Sequence, residues 1–447
     1  MRVRRLALNI RDSKIENQKS ALGIRPFVAT AIIGLAAGLM AVAFAASAHW
    51  IAATFLLSGT GGPFWIFAIT ALGLMLGGSL AAGFLMHRFA PDAAGSGIPQ
   101  VKVAYQRKEV DFTWKLVFVK FFGGVLSIGT GSSLGREGPT VHMGAAIASK
   151  VGNWFYETRE GRLNAVCAGS AAGLAAAFNS PLAGVTLVLE EIAGGRDQSK
   201  FAGRSLLAAA LAVLIVYIMM GNHAALQIGR HVSLSPAAIW LSPVVAIVAG
   251  LAGLAFQWCT LRLRGWIRKT RIHPALRPAC GAAIGCAAAV GAFALTGHTG
   301  VFGLGETDLQ STLNNQILWS AAAWLLIAKV IATTFCYGSG GCGGIFAPLI
   351  FFGGMAGTVV FGIAGHAMNL TADDQTMLSL MGMTACLCSV VRAPITSILI
   401  VVEMTLQLEA LPGLMVAAVI GAFLNRYCLG ENLYDAALRQ DGIVLEE

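Results

Sequence analysis

The sequence predicts an all-α polytopic membrane protein built from two related halves. Three observations carry this: an apolar composition, long runs without a charge, and an internal repeat that sets glycine- and proline-broken segments at matching positions. Of 447 residues, 56% are hydrophobic and 12% charged, and the mean hydropathy is +0.71. A soluble domain carries about a quarter of its residues as Asp, Glu, Lys and Arg. Between Arg25 and Arg88 no charged side chain occurs for 62 residues. About 20 apolar residues suffice for a helix to cross the hydrocarbon, so at least two crossings fit there. Further uncharged runs cover 205–229, 231–261, 278–305 and 330–372. Lipid offers no partner to an exposed backbone amide, so these runs are expected as helices.

In chain order, residues 1–25 form a basic segment: Arg2, Arg4, Arg5, Arg11, Lys14, Lys19 and Arg25 stand against Asp12 and Glu16. By the positive-inside rule the N-terminus is expected to be cytoplasmic. The apolar stretch that follows is far too long for a signal peptide. The same rule places Arg262, Arg264, Arg268, Lys269, Arg271 and Arg277 inside, and the nearly uncharged segments 58–64 and 221–229 outside. The net charge of +9 is therefore a matter of topology, and no nucleic-acid partner is expected. The nine cysteines show no metal-ligand spacing and read as packing residues or free thiols.

Shifting the chain on itself by 209 residues pairs Lys120, Gly129, Gly131, Gly135, Pro139 and Gly144 with Lys329, Gly338, Gly340, Gly344, Pro348 and Gly353. At an offset of 213, Gly169, Ala172, Leu174, Pro181 and Glu190 fall on Gly382, Ala385, Leu387, Pro394 and Glu403. Small residues recur in any closely packed membrane protein, but Lys, Glu and Pro in the same order do not follow from that. We therefore divide the membrane portion into a first repeat, 26–228, and a second, 229–447, which ends in a short cytoplasmic C-terminus. Duplicated halves with broken apolar segments at matching places point to a transport site at the repeat interface.

Those broken segments suit an anion. Residues 129–139 are too rich in glycine for helix and end in a proline fit for a first helical turn, so a helix should begin near 137–140. Residues 338–348 open a second helix in the same way, and Gly95-Ser96-Gly97-Ile98-Pro99 reads as a third start, with Ser96 available as cap or ligand. Each start leaves unpaired amides and about half a positive charge at its N-terminus. Buried in hydrocarbon, such donors can hold a small anion without the full cation that would trap it. An acid at the bilayer centre costs about 2.5 to 3.5 kcal/mol, which makes Glu137, at one of these starts, a functional candidate. Deprotonated, its carboxylate competes for the anion's place; protonated, it leaves. The plainer alternative is an acid that only caps its own helix. Glu190, Glu191 and Glu403 close the apolar runs that follow Pro181 and Pro394. They read equally as proton relays or as structural partners of Arg392, Arg196 or backbone groups.

These residues resemble the CLC family of chloride channels and proton-coupled chloride transporters. Gly-Ser-Gly-Ile-Pro at 95–99, Gly-Arg-Glu-Gly-Pro at 135–139 and Gly-Gly-Ile-Phe-Ala-Pro at 343–348 stand in that family's order, with Phe-Asn-Ser-Pro-Leu-Ala-Gly at 178–184. The resemblance runs from about 26 to Tyr434 and Leu438. It implies a CLC-type fold of two inverted-topology repeats of tilted, often incomplete helices, in a homodimer with one pathway per subunit. The helices near 180–190, 202–220, 393–405 and 410–425 would form the dimer face. It also implies that Ser96 gives a hydroxyl and Ile345 and Phe346 give backbone amides to a bound chloride. Tyr434 would supply the second hydroxyl and the inner gate; without the family it would read as an interfacial aromatic. Glu137 matches the external gating glutamate and Glu191 the internal proton-transfer glutamate of the exchangers. Serine at 96 favours chloride, since the nitrate transporters of the family carry proline there.

The expected function is therefore secondary active exchange of chloride for protons across the plasma, or inner, membrane, with a passive chloride-selective channel of the same fold as the alternative. Bound chloride is the only non-protein group expected, and the partners are chloride, protons, lipid and a second copy of the chain. The chain runs only about a dozen residues past Tyr434, which on this reading leaves no room for appended regulatory modules and implies a compact prokaryotic-type transporter. An intramembrane enzyme is not expected. Ser170 lacks a Gly-x-Ser-x-Gly frame, and the Asp373-Asp374 pair lies in a polar stretch.

Overall fold

The computed structural model of the chain describes residues 24–194, 198–221 and 223–444, the side chains of 198–200 excepted. The basic stretch expected at 1–25 thus falls almost wholly outside the described residues, as does Arg196. Among the described residues the backbone is helical, and pairing of the strand type is confined to two isolated bridges.

In the first half, α1 (Ile24–Ile51) and α2 (Phe64–Phe89) are the two crossings that fit the 62-residue uncharged run. After them come the nine-residue α3 (Ile98–Gln106), α4 (Trp114–Gly129), α5 (Glu137–Phe155) and α6 (Arg159–Phe178). Then follow the short α7 (Pro181–Leu187), prolonged by a π-helical turn at Val188–Ile192, and α8 (Gln198–Met220). The second half holds α9 (Pro236–Lys269), α10 (Arg277–Thr296), α11 (Glu306–Leu313), α12 (Trp319–Gly338) and α13 (Phe346–Ala364). It ends with α14 (Ala372–Val391), α15 (Pro394–Thr405), α16 (Leu411–Cys428) and α17 (Leu433–Gln440).

The prolines explain the starts of the short helices. Pro99, Pro181 and Pro394 occupy the first turns of α3, α7 and α15, where a missing N–H costs nothing and φ is preset. The glycines explain the closest packing. α5 lies along α6, and α13 along α14, with backbones almost touching. A Cβ on Gly144 would sit 2.3 Å from the carbonyl oxygen of Gly169, and one on Gly353 would sit 2.1 Å from that of Gly382. These are the same contact made twice, at residues the repeat relates. The residues that end α6 and α14 are related too: Asn179 and Arg392 both take the left-handed conformation, at φ 57° and 61°.

Nine helices among the described residues are long and apolar enough to cross a membrane. Neither α5 nor α6 is one of them, although nearly every residue of both is buried. They are sheathed in protein except at the end of α5, where Trp154 is exposed, and large apolar side chains on other helices, such as Trp65, Phe118 and Trp240, face outward.

The two halves also exchange caps. Glu403 at the end of α15 accepts from the amides of Leu182 and Ala183 at the start of α7, at 3.1 and 2.9 Å. Glu190, after α7, accepts from the amides of Ile395 and Thr396 at the start of α15, at 3.0 and 2.8 Å. Of the partners weighed for these acids, the structure selects backbone groups. Arg392 instead donates to the carbonyl of Gly430, at 2.8 Å.

Candidate functional site

The three glycine segments meet. Gly95 donates to the carbonyl of Gly341 at 3.1 Å and accepts from Gly343 at 3.2 Å, while Gly135 and Gly344 exchange both backbone bonds at 2.7 and 2.6 Å. Two bridges, one parallel and one antiparallel, therefore tie the turns before α3, α5 and α13 into one knot, and three helix beginnings aim into a common region. Glycine is required at the crossing. A Cβ on Gly344 would lie 2.8 Å from the amide nitrogen of Gly138 and 2.7 Å from a Glu137 carboxylate oxygen.

Glu137 is the first residue of α5 and wholly buried. Its side chain reaches a second helix start besides its own. Oε1 accepts from the amide of Ala347 in the first turn of α13, at 2.8 Å, so an acid of the first repeat occupies the N-terminus of a helix of the second. Oε2 has no partner among the described residues. The plainer expectation for this acid is a cap on its own helix alone; the bond to Ala347 adds a contact with a helix of the second repeat.

Ser96 and Tyr434 lie together, 338 positions apart in the chain: their hydroxyl oxygens are 3.5 Å from each other, and both residues are buried. Ser96 packs so tightly against α5 that a Cβ on Gly138 would be 2.3 Å from its Oγ. Ile345 and Phe346 open α13 and are fully buried, and the Phe346 ring meets that of Phe178 edge-on at 6.3 Å. Among the described residues no protein acceptor meets the amides of Ile345 and Phe346, the donors next to the one Glu137 has taken. Ser96, Glu137, Ile345 and Phe346 thus belong to one cluster of helix starts, and Tyr434 reaches it from α17.

Glu191 sits in a second buried cluster. Its carboxylate accepts from Lys102 Nζ at 3.1 Å and from the Asn432 side chain at 3.2 Å, and Lys102 also pairs with Asp435 at 2.6 Å. Lys102 lies on α3, one turn beyond its start, and Asp435 follows Tyr434 directly. The Glu191 cluster is therefore joined by covalent backbone to both hydroxyl residues. Sequence reasoning missed Lys102, Asn432 and Asp435. An available signal was a lone lysine six residues beyond Ser96 in an otherwise uncharged element.

Lys120 and Lys329, used above only to align the repeat, prove to be pegs beneath it. The Lys120 ammonium donates to the carbonyls of Ala93 and Gly95 at 2.9 and 2.6 Å. That of Lys329 donates to Gly300, Val301 and Gly303 at 2.8, 3.2 and 2.7 Å. Each buried cation is solvated by the loop leading into a short helix, α3 in one half and α11 in the other. Beside Glu137, Arg136 is held by the carbonyl of Ala177 at 3.1 Å and by Glu306 at 3.0 Å, a salt bridge across the two halves.

A family model described as voltage gated chloride channel matches residues 77–426. The H(+)/Cl(-) exchange transporter ClcA of Vibrio parahaemolyticus is 31% identical over 449 residues, covering 95% of this chain and 92% of its own. The protein of the same name from Yersinia pestis bv. Antiqua is 32% identical over 432 residues, covering 92% of this chain and 86% of its own. Among solved structures, that of a slow cyanobacterial Cl-/H+ antiporter superposes with a TM-score of 0.83 at 27% identity, over 94% of this chain and 98% of the other.

Proposed function

Because the chain belongs to the voltage gated chloride channel family, we propose that it is a secondary active transporter exchanging chloride for protons across the plasma membrane. The observation that carries this reading is the carboxylate of Glu137 on the amide of Ala347, beside the helix starts and hydroxyls where an anion would be held. A deprotonated Glu137 satisfies that amide as an anion would. Protonation removes its charge, and with it the pull of the α13 N-terminus. The side chain then yields its place, and chloride takes the amides of Ile345 and Phe346 with the hydroxyls of Ser96 and Tyr434. Each unit of pKa difference between the bound and released carboxyl corresponds to about 1.4 kcal/mol of coupling between proton and anion.

Glu191 is the internal proton station. Its cluster shares α3 with Ser96 and α17 with Tyr434, so proton arrival is linked mechanically to the inner end of the anion path. A buried acid at this point favours exchange over a passive channel, which needs no proton donor there. The functional unit is a homodimer in the bilayer with the N-terminus in the cytoplasm, each subunit binding its own chloride and needing no other cofactor. Transport, rather than catalysis on a substrate, fits the relatives, which are named as exchange transporters.

The test is coupled flux from vesicles. A proton gradient should drive chloride uphill. Glu137→Gln should let chloride pass with no accompanying proton movement, and Glu191→Gln should impair protons far more than chloride. Normal proton transport in both variants would sink the assignment, and chloride flux indifferent to a proton gradient in the unmodified protein would favour the channel.

A further inference from the structure

The basic residues at the ends of α9 and α10 serve topology in the account above, but they also enclose something. A cavity of about 220 Å³ is lined by Arg264, Arg268 and Arg277, with His87 at the end of α2 and Ser339 after α12. Three arginines line it, and the nearest acid to pair with them, Asp441, lies outside the lining and is bound to Arg264 at 2.8 Å and to Arg268. Arg277 uses its Nε on the carbonyl of Ile272, at 3.1 Å, and among the described residues pairs with no acid. An excess of positive charge therefore surrounds a concave space of the size of a phosphate group and its neighbours.

An apolar groove lies beside it, bounded by Leu80, Phe84, Ala275 and Leu276. The two share the end of α2 and the turn at 273–276, where His87 meets His273 edge-on at 4.7 Å between ring centres. The groove faces outward: Leu80, Phe84 and Leu276 are 43%, 56% and 47% exposed. Trp266 is exposed nearby, and Arg262 stacks on Trp258 at 4.9 Å, the arrangement expected where a helix leaves the hydrocarbon for the headgroup layer. A basic pocket opening beside an apolar groove at that depth matches one ligand chemistry, a phosphate carrying acyl chains.

We propose that the pocket and groove together hold an anionic phospholipid, its phosphate between Arg268 and Arg277 and an acyl chain along Leu80, Phe84 and Leu276. Arg264 and Arg268 also grip the far end of α17, through the carbonyls of Ala437 at 2.7 Å and Gln440 at 3.0 Å. The lipid phosphate thus competes with Asp441 for the groups that hold the helix of Tyr434, and the site reports membrane charge to the inner end of the anion path.

Native mass spectrometry of the full chain in neutral detergent, titrated with phosphatidylglycerol, reads the site without relying on transport. Arg277→Gln and Arg268→Gln should each weaken retention by about fivefold, whereas Arg262→Gln, outside the pocket, should not. Phe84→Ala should weaken lipid retention and leave any binding of free glycerol phosphate unchanged. Helix content by circular dichroism screens each variant for folding, and the groove variant stands in if an arginine variant fails. Equal losses in Arg262→Gln and Arg277→Gln would overturn the proposal in favour of diffuse surface charge. Glycerol phosphate binding as tightly as the lipid would overturn it in favour of a free-phosphate site.

Discussion

Lys102 is the residue whose removal should be most informative. Its ammonium stands between the carboxylates of Glu191 and Asp435, and both it and Glu191 are nearly excluded from solvent. Deleting one partner of a buried pair costs about 3 to 5 kcal/mol, mostly because the other charge is stranded. Lys102→Met should therefore lower the thermal midpoint in detergent and depress proton flux more than chloride flux. In a Glu191→Gln background the same substitution should cost markedly less, and a double-mutant cycle measures the difference. If the two losses simply add, the pair is not coupled. At this scale the sequence revealed the polar residues whose types announce themselves: an acid, a serine and a glycine-proline frame. It was silent on Asn432 and Asp435, because a side chain's partner 241 or 333 positions away is fixed by packing alone.

The reciprocal caps and the glycine seams belong to the level of whole helices. Each cap is a carboxylate receiving two amides at a helix start, and hydrogen bonds to a charged group contribute about 1.5 to 3 kcal/mol. Glu190→Gln and Glu403→Gln should thus lower stability by similar amounts, about 1 kcal/mol or more each, in thermal unfolding; strongly unequal losses would show that the repeat symmetry does not extend to energetics. At the seams, Gly353→Ala places a methyl group against the Gly382 carbonyl, and overpacking of this kind costs about 1 to 3 kcal/mol. The same unfolding measurement checks it, and Gly144→Ala in the other half should behave alike. Helix starts were legible because proline and glycine act locally. The depth of α5 and α6 was not: scattered charged and polar residues keep their hydropathy low, while their small residues let them pack against other helices.

For the molecule as a whole, the repeat was the most telling property of the sequence, since Lys120 and Lys329, or Glu190 and Glu403, fall on matching structural duties. Assembly is the property a single chain displays least. Leu182, Leu206, Ile395, Met415 and Val419 give an outward apolar face on α7, α8, α15 and α16, suited to a second copy. Light scattering corrected for detergent should return twice the 46.5 kDa chain mass. A single-chain mass at working concentration would argue for lipid on that face instead. The exchanged caps also impose an order on biosynthesis. The amides of Leu182 and Ala183 await a carboxylate that lies 221 and 220 positions downstream. At about 5 to 20 residues per second, a ribosome needs on the order of 10 to 45 seconds to deliver it. Throughout that interval the leading half waits in the translocation machinery with two donors unanswered, so an emerging chain stalled before Glu403 should remain a substrate for membrane quality control.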